Sequence, residues 1–292
     1  ACKFANGGYD FYGKGWIHWC KIWHDDLGDT VCRELACWIH ETWRAEYCGT
    51  SRYRLAGNTS LRTNASFILN NMLNLGHCMN PTNTNDGGWY ACAMRTFIND
   101  RVYKALPVEW RSILKKCKIN STEGNQSSAI VTSEDNIYLV SYAELNGSTS
   151  SPFINEGTSI SFFVNGAARL KFRGQIIREN AVFMTEGSDP TLLSGYHVQE
   201  GDIWINSNNS SIGYMYLSAA TVAKHKHIGI LLSSSDNVAA SDGGLWLRAQ
   251  NWWERSPIVS GSTGFYYVNG NGYAGGNNNA STTYGVVPCF SI

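Results

Sequence analysis

The sequence predicts an α+β protein, because helical and strand-like patterns occupy different parts of the chain. Apolar residues recur at helical spacing in several segments before about residue 115, whereas short β-rich runs separated by turn residues follow later. The 292 residues are enough to bury a substantial core. Charged residues make up only 16% of the chain, below the usual figure of about 25%. We therefore expect a folded, turn-rich protein.

Two helices are predicted in the first 76 residues. Apolar residues of segment 30–43 follow helical spacing, and Asp29 or Thr30 can cap its start. A second helix is predicted within 64–75, where Gly76 can end it.

The region after residue 80 contains a loop followed by a longer helix. Segment 80–88 is rich in Asn, Thr, Pro and Gly, which favours a loop. The spacing over 94–106 predicts a helix that Pro107 stops, because proline lacks the backbone donor a helix interior needs. Pro107 also suits the first turn of a short helix through 110–114.

Strands are predicted at the β-rich runs that follow residue 128, namely 129–131, 137–140, 161–164, 203–205, 213–217 and 264–268. After the last of these, Asn269-Gly270 predicts a tight hairpin turn, because this pair accepts positive φ at little cost. The apolar run 286–292 is suited to burial.

Charge and hydropathy exclude two classes of partner. The net charge is zero and the longest basic cluster is Lys115-Lys116, so nucleic-acid binding is not expected. No apolar run approaches the roughly 20 residues that cross a bilayer, so membrane insertion is not expected. The start of the chain lacks the pattern of a secretory signal. We expect a soluble chain.

Nine cysteines occur, seven of them in the first 92 residues. They predict either a disulfide framework or buried thiols, and the long chain and irregular spacing favour mostly reduced thiols. Cys32 and Cys37 are candidate zinc ligands, but no second tight pair accompanies them, so structural thiols are favoured. His225 and His227 are interpreted as a surface pair. We predict no metal and no cofactor.

Sequence motifs give no support for catalysis. The chain has no Gly-x-Ser-x-Gly or His-Glu-x-x-His pattern, and no Gly-x-x-x-x-Gly-Lys that is followed by Ser or Thr. We therefore predict no catalytic residues and a protein that is not an enzyme.

The segment from Ser256 to Ile292 has no Asp, Glu, Lys, Arg or His, and is rich in Asn, Gly, Ser, Thr and Tyr. Tyrosine supplies stiff amphipathic contacts and the small polar residues adaptable hydrogen bonds, as in antibody loops. A flexible polar tail is the alternative, but the strand 264–268 and the apolar run 286–292 favour an ordered surface. The predicted ligand-binding residues are Trp252, Trp253, Ser262, Thr263, Tyr266, Tyr267, Asn269, Asn271, Tyr273, Asn277, Asn278, Asn279, Thr282 and Tyr284. Trp252 and Trp253 are adjacent, so an extended chain would send one inward and the other outward.

Several short motifs of the chain resemble those of a known protein family and occur in the same order along the sequence. They are Gly87-Gly88-Trp89, Met94-Arg95-Thr96, Ala105-Leu106-Pro107, Gly124-Asn125-Gln126-Ser127, Ser141-Tyr142-Ala143-Glu144, Phe162-Phe163-Val164-Asn165-Gly166, Leu245-Trp246-Leu247-Arg248 and Gly285-Val286-Val287-Pro288-Cys289-Phe290. The chain resembles the C-type-lectin-like variable proteins of phage tails and bacterial surfaces, several of which are targets of diversity-generating retroelements. The resemblance covers about 60–171 and 241–292.

This resemblance implies a domain organisation. A Trp/Cys-rich, partly helical N-terminal region would cover 1–60, and a C-type-lectin-like fold would be formed by 61–171 together with 241–292. Residues 172–240 would form an inserted β-rich module. The motifs with which calcium-dependent lectins hold calcium and sugar do not occur in the chain.

The resemblance also implies a function. The last segment would be a variable face, because Ser, Thr, Tyr and Gly can be reached from an Asn codon through its adenines alone; ordinary drift is the alternative. We expect a non-enzymatic receptor-binding protein of a phage tail tip or fibre, located in the virion or at a cell surface. Its partners would be a bacterial surface protein or glycan and other virion proteins, and the chain would form a homo-oligomer, with a trimer favoured. A structural virion subunit and a bacterial adhesin are the alternatives.

Overall fold

The computed structural model describes residues 16–18, 44–55, 61–69, 72–73, 76–106, 108–147, 153–164, 166–172, 183–184, 198–206, 212–224 and 235–291. The predicted helix at 30–43, Cys32, Cys37 and the pair His225 and His227 lie outside the described residues.

The protein is a mixed α+β structure. Its strands are β1 Trp16–His18, β2 Arg44–Leu55, β3 Leu61–Leu69, β4 Cys117–Gly124, β5 Ser127–Asp135, β6 Ile137–Tyr138, β7 Phe183–Met184, β8 Ile203–Asn206, β9 Ile212–Leu217, β10 Val238–Ala239, β11 Leu245–Arg248, β12 Trp252–Pro257, β13 Gly264–Val268, β14 Gly276–Asn279 and β15 Cys289–Ser291. Its α-helices are α1 Gly88–Ala91, α2 Ala93–Phe97, α3 Tyr103–Ala105, α4 Val108–Ile113, α5 Tyr142–Asn146 and α6 Ala219–Lys224.

In the largest sheet, β15, the last strand in the described part of the chain, lies between β3 and β6. The order of this sheet is β5-β4-β2-β3-β15-β6, and β1 pairs with β2. Phe290 of β15 lies opposite Phe67 on one side and Ile137 on the other, in antiparallel register. Cys289 and Phe290 are buried in the core, as the apolar run 286–292 predicts. The polar segment that precedes β15 is therefore fixed at its far end.

The predicted helix at 64–75 is wrong, because β3 occupies Leu61–Leu69. Strands β2 and β15 pair with β3 on its two sides. Pairing of the backbone on both edges outweighs the weak helical spacing of a short apolar run, a type of segment for which periodicity does not distinguish helix from strand.

A second sheet has the order β10-β11-β9-β8-β7, with β7 and β8 parallel and the other neighbours antiparallel. Alternation along β9 sends Met215 and Leu217 into one apolar cluster and Tyr214 and Tyr216 into another on the opposite face. Strand β11 is part of this sheet, although the domain prediction assigns 241–292 to the lectin-like part. The proposed division of the chain remains a prediction.

A third sheet, β12-β13-β14, packs on the same core as the first. The predicted strand at 264–268 is confirmed without a shift of its ends. The turn after it is longer than expected: β13 and β14 are joined by 269–275, and the positive φ falls on Gly272 instead of Gly270.

The predicted helix over 94–106 is confirmed, with a π-helical stretch at Ile98–Val102 between α2 and α3. The predicted strand at 161–164 is wrong, because Ser161–Val164 form a 3-10 turn.

The cysteines with described side chains are free thiols, namely Cys78, Cys92, Cys117 and Cys289. None of the helices in the described ranges is long and apolar enough to cross a membrane.

Candidate ligand-binding surface

The two predicted tryptophans are not at the surface. Trp252 and Trp253 are both 0% exposed, so the prediction that one of them faces outward is wrong. They do point to opposite sides of β12, but both sides are covered. Trp252 Nε1 donates to the carbonyl oxygen of Arg169 at 2.9 Å, and Trp253 Nε1 donates to that of His77 at 2.9 Å. Both tryptophan rings are therefore packed beneath the polar segment and are not part of its accessible surface.

The other predicted residues are partly or fully exposed. Those that are exposed are Thr263, Tyr273, Asn277 and Asn279. Those that are half-buried are Ser262, Tyr266, Tyr267, Asn269, Asn271, Asn278, Thr282 and Tyr284. The polar segment is thus ordered and keeps its aromatic and amide side chains accessible.

One group of aromatic rings, which we call the Tyr266 side, consists of Tyr142, Phe153, Tyr266 and Tyr273. The ring of Tyr266 lies 4.7 Å from that of Tyr142 and 5.4 Å from that of Phe153, measured between centroids. Burial raises the pKa of Tyr266, and the neighbouring hydroxyls of Tyr142 and Tyr273 raise it further. Tyr273 is 59% exposed and forms the outer edge of this group.

A second group, which we call the Tyr284 side, consists of Trp253, Tyr267 and Tyr284. The centroid of Tyr284 lies 4.7 Å from Tyr267 and 4.8 Å from Trp253. Asn278 Nδ2 donates to the Tyr284 hydroxyl at 2.7 Å. Because neighbouring strand residues point to opposite faces, Tyr266 and Tyr267 belong to different groups. The structure therefore divides the single predicted face into two.

Loop 269–275 is held by its own asparagines. Asn269 Oδ1 accepts from the backbone N–H of Asn271 at 3.1 Å and of Tyr273 at 3.0 Å. Asn146 Nδ2, from α5, donates to the carbonyl of Ala274 at 2.9 Å. These bonds fix the backbone that carries Tyr273, so part of the asparagine content has a structural role.

Asn85 fixes the loop between β12 and β13. It is 0% exposed, and its Nδ2 donates to the carbonyl oxygens of Ile258, Gly261 and Gly264 at 3.1, 3.1 and 2.9 Å. Its backbone N–H donates to the carbonyl of Ser262 at 2.9 Å. The loop that carries Ser262 and Thr263 is therefore tied to the segment before α1.

A buried polar network lies beneath the Tyr266 side. Arg255 Nη1 donates to Glu144 Oε2 at 2.6 Å and to the carbonyl of Leu139 at 2.7 Å. Glu156 Oε1 accepts from the backbone N–H of Thr122 at 2.7 Å, and its Oε2 accepts from the Ser256 hydroxyl. The hydrogen bonds of this network are nearly complete, as buried charges require.

Glu254 is the exception. Its side chain is 0% exposed, and neither carboxyl oxygen has a hydrogen-bond partner among the residues that the structure describes. Burial raises the pKa of Glu254 well above its usual value, and the nearby charge of Glu156 raises it further. The charges of Arg169 and Arg255 act in the opposite direction. Burial thus favours the neutral form of this carboxyl group relative to a carboxyl group in water.

Sequence reasoning missed Tyr142, Phe153, Asn85 and the acidic residues of this network. Tyr142 and Phe153 lie more than 100 residues before Tyr266 in the chain, so no local pattern connects them. One signal was present: Glu254 and Arg255 are two charged residues inside a β-rich stretch that begins with two tryptophans. Charges at such a position indicate a buried polar network.

The chain belongs to the family described as a domain of unknown function, DUF6273, whose model matches residues 63–292. Comparison with curated proteins and with solved structures gave no match. The matched region contains every residue of the Tyr266 side and of the Tyr284 side. Both groups are thus part of the family domain.

Proposed function

We propose that this chain is a non-enzymatic receptor-binding protein of a phage tail tip or fibre. In this proposal a C-type-lectin-like domain, formed by 61–171 and 241–292, presents the Tyr266 side and the Tyr284 side to a bacterial surface protein or glycan. The protein would act in the virion, next to other virion proteins.

The observation that carries the proposal is an exposed aromatic and amide surface on a firmly held backbone. Tyr266, Tyr273 and Asn277 are accessible, while the strands beneath them are anchored by buried tryptophans and by β15 in the largest sheet. Tyrosine is enriched at interface hot spots, and a backbone that is already ordered loses little entropy on binding. A surface of this kind suits recognition.

The pairing of β15 with β3 supports the lectin-like part of the proposal, because it joins the beginning and the end of the family domain in one sheet. The exposed positions Thr263, Tyr273, Asn277 and Asn279 could change without disturbing the core, as a diversified segment requires. A near-copy of the codons for 246–292 beside a reverse transcriptase gene would test this point.

The affinity of one such surface would be modest, so we propose that several copies act together in a homo-oligomer, with a trimer favoured. Linked sites gain strength because the second contact forms at a high effective concentration. A monomeric chain that binds cells as tightly as the intact particle would contradict this part.

The function is tested by adsorption of particles that carry Tyr→Ala changes. The double variants Tyr266→Ala with Tyr273→Ala, and Tyr267→Ala with Tyr284→Ala, each remove one of the two aromatic groups. We expect adsorption to fall about tenfold or more in at least one of them, because truncating a hot-spot side chain costs about 1.4 kcal/mol or more of binding free energy. The control is Tyr90→Ala, an exposed tyrosine outside both groups.

Unchanged adsorption with both double variants would reject the assignment of the face. If antibodies against 262–284 bind the isolated chain and not the particle, the surface is covered by assembly. That result would favour a structural virion subunit instead. Display of the chain on bacterial cells would favour an adhesin.

A further inference from the structure

Strand β14 forms one edge of the third sheet. The order β12-β13-β14 leaves one side of β14 without a neighbouring strand in the part of the chain that the structure describes. Natural proteins protect such edges with lysine, proline or a bulge, and β14 carries none of these. The side chain of Asn277 at the middle of this edge is exposed. The edge is therefore accessible to a further strand.

The backbone groups of Asn277 point away from β13. In an antiparallel pair, residues alternate between those that exchange hydrogen bonds with the neighbouring strand and those that do not. The N–H of Ala280 donates to the carbonyl oxygen of Thr263 at 2.8 Å, which assigns the bonded positions of β14 to Gly276 and Asn278. The N–H and C=O of Asn277 thus face outward, and neither has a partner among the described residues.

The open part of the edge ends after Asn277. The backbone N–H of Asn279 donates to Asn278 Oδ1 at 2.8 Å, and its carbonyl oxygen accepts from the N–H of Thr282 at 2.9 Å. Both bonds agree with the alternation, because they show that the backbone groups of Asn279 also turn away from β13. A partner strand would therefore pair with Asn277 and continue towards Gly275.

Two tyrosine rings flank this open part, one over each face of the sheet. A Cβ atom at Gly275 would overlap the hydroxyl end of Tyr273, and one at Gly276 would lie 2.7 Å from Cζ of Tyr267. The two glycines therefore leave room for the rings beside the backbone at the edge. Tyr273 belongs to the Tyr266 side and Tyr267 to the Tyr284 side, so the two rings lie on opposite faces.

An added strand would contact both groups of rings at once. Successive side chains of an extended peptide point to opposite faces of the sheet that it joins. Alternate side chains would thus meet the Tyr266 side and the Tyr284 side in turn. Segment 256–292 contains no Asp, Glu, Lys, Arg or His, so it offers no counter-charge to a charged side chain. An uncharged peptide matches this surface.

We infer that β14 binds an extended, uncharged segment of a partner protein as an added strand, through the backbone N–H and C=O of Asn277. This inference rests on the proposed function and names the chemistry of the partner. Strand addition draws affinity from main-chain hydrogen bonds and specificity from the sites of alternate side chains. A glycan lacks the regularly spaced N–H and C=O groups that such pairing requires.

The first test is an NMR titration of the full chain with the capped peptide acetyl-Thr-Val-Thr-Val-Thr-amide. Its matched control is the same peptide with a methyl group on every residue nitrogen, which keeps the side chains and removes the backbone donors. We expect the parent peptide to bind about tenfold more tightly than the methylated one, because only it can pair with the edge. An analogue with glutamate in place of valine should bind more weakly than the parent.

The second test changes the backbone donor of the protein. Asn277→Pro removes the outward N–H and no bond to β13, so the fold should be retained and peptide binding should fall about tenfold. Asn277→Ala removes the side chain but keeps the N–H, so it should lose less binding than Asn277→Pro. Tyr90→Ala, an exposed change outside both groups of rings, should leave peptide binding unchanged.

Hydrogen exchange of the Asn277 amide in the unaltered chain decides the matter even if Asn277→Pro does not fold. The amide should exchange fast in the free protein and about tenfold more slowly with saturating peptide. Binding of no peptide, equal binding of the parent and methylated peptides, tighter binding of the glutamate analogue, or an unprotected Asn277 amide would overturn the inference.

Self-association of the chain through this edge is the competing outcome. If sedimentation shows a dimer that Asn277→Pro dissociates, and no peptide binds, a second copy occupies the edge and the inference is overturned. If the tyrosine variants still lose adsorption after any of these failures, the proposed function stands without strand addition. If they do not while the peptide binds, the edge is a peptide site and the adsorption role is rejected.

Discussion

Arg255 and Glu144 form an ion pair that is closed to solvent. Their side chains are 0% and 2% exposed, and Nη1 of the arginine lies 2.6 Å from Oε2 of the glutamate. The pair connects β12 to α5, the helix that begins at Tyr142. Because Tyr142 packs on Tyr266, this contact also positions the rings of the Tyr266 side.

Replacing Arg255 by Met should lower the free energy of unfolding by roughly 3–5 kcal/mol, because Glu144 and Glu156 remain buried without their counter-charge. Urea denaturation measures this change. Adding Glu144→Met in the same chain should recover part of the loss, since it removes one uncompensated carboxylate. A loss below about 1 kcal/mol for the single variant would contradict the role assigned to the pair.

Stability should fall as the pH rises from the acidic range. Burial raises the pKa of Glu254 and of Glu156, so the folded chain keeps protons that the unfolded chain releases. The unfolding free energy therefore decreases above the pH at which the unfolded carboxyls titrate, by up to about 1.4 kcal/mol per pH unit for each group. Denaturation between pH 4 and pH 8 should show a weaker pH dependence in Glu254→Gln; curves with the same slope would be inconsistent with a buried neutral acid.

Asn85→Ala should destabilise the protein by about 2–4 kcal/mol, because the carbonyl groups of Ile258 and Gly261 lose its amide donor and the backbone N–H of Asn125 loses its acceptor. Hydrogen exchange should also become faster in the loop that contains Ser262 and Thr263, which Asn85 holds. The neighbouring exposed Asp86→Ala is the control and should change stability by less than about 0.5 kcal/mol. The assignment fails if both variants behave alike.

Gly276→Ala should disturb the Tyr284 side. A Cβ atom at this position would lie 2.7 Å from the ring of Tyr267, so that ring, which packs on Tyr284, must shift. We expect a cost of about 1–3 kcal/mol and a change in the near-UV circular dichroism of these aromatic rings. Gly166→Ala is the matched control, because a Cβ atom there meets nothing within 4 Å. Identical near-UV spectra for Gly276→Ala and the parent chain would refute the contact.

Local patterns predicted part of the fold. Strand β13 was predictable because its β-rich composition and the turn residues that follow it agree over 264–268. The 94–106 helix was predictable because its apolar stripe ends at Pro107. The segment 64–75 was not, because its strand structure depends on pairing with β2 and β15, which are distant in sequence.

The candidate site shows the same limit. Composition indicated that 256–292 carries the accessible Tyr and Asn residues, but not that Tyr266 and Tyr267 serve two different surfaces. The burial of both Trp252 and Trp253 depends on Arg169 and His77, which come from elsewhere in the chain. Contacts of this kind have no signature in a single sequence.

Hydrogen exchange in the presence of bacterial envelope fragments tests the proposed receptor-binding function most directly. The account predicts slower exchange within 262–284 when the fragments are added, and unchanged exchange in β5, which serves as the internal control. Unchanged exchange within 262–284, or protection confined to other parts of the chain, would contradict it.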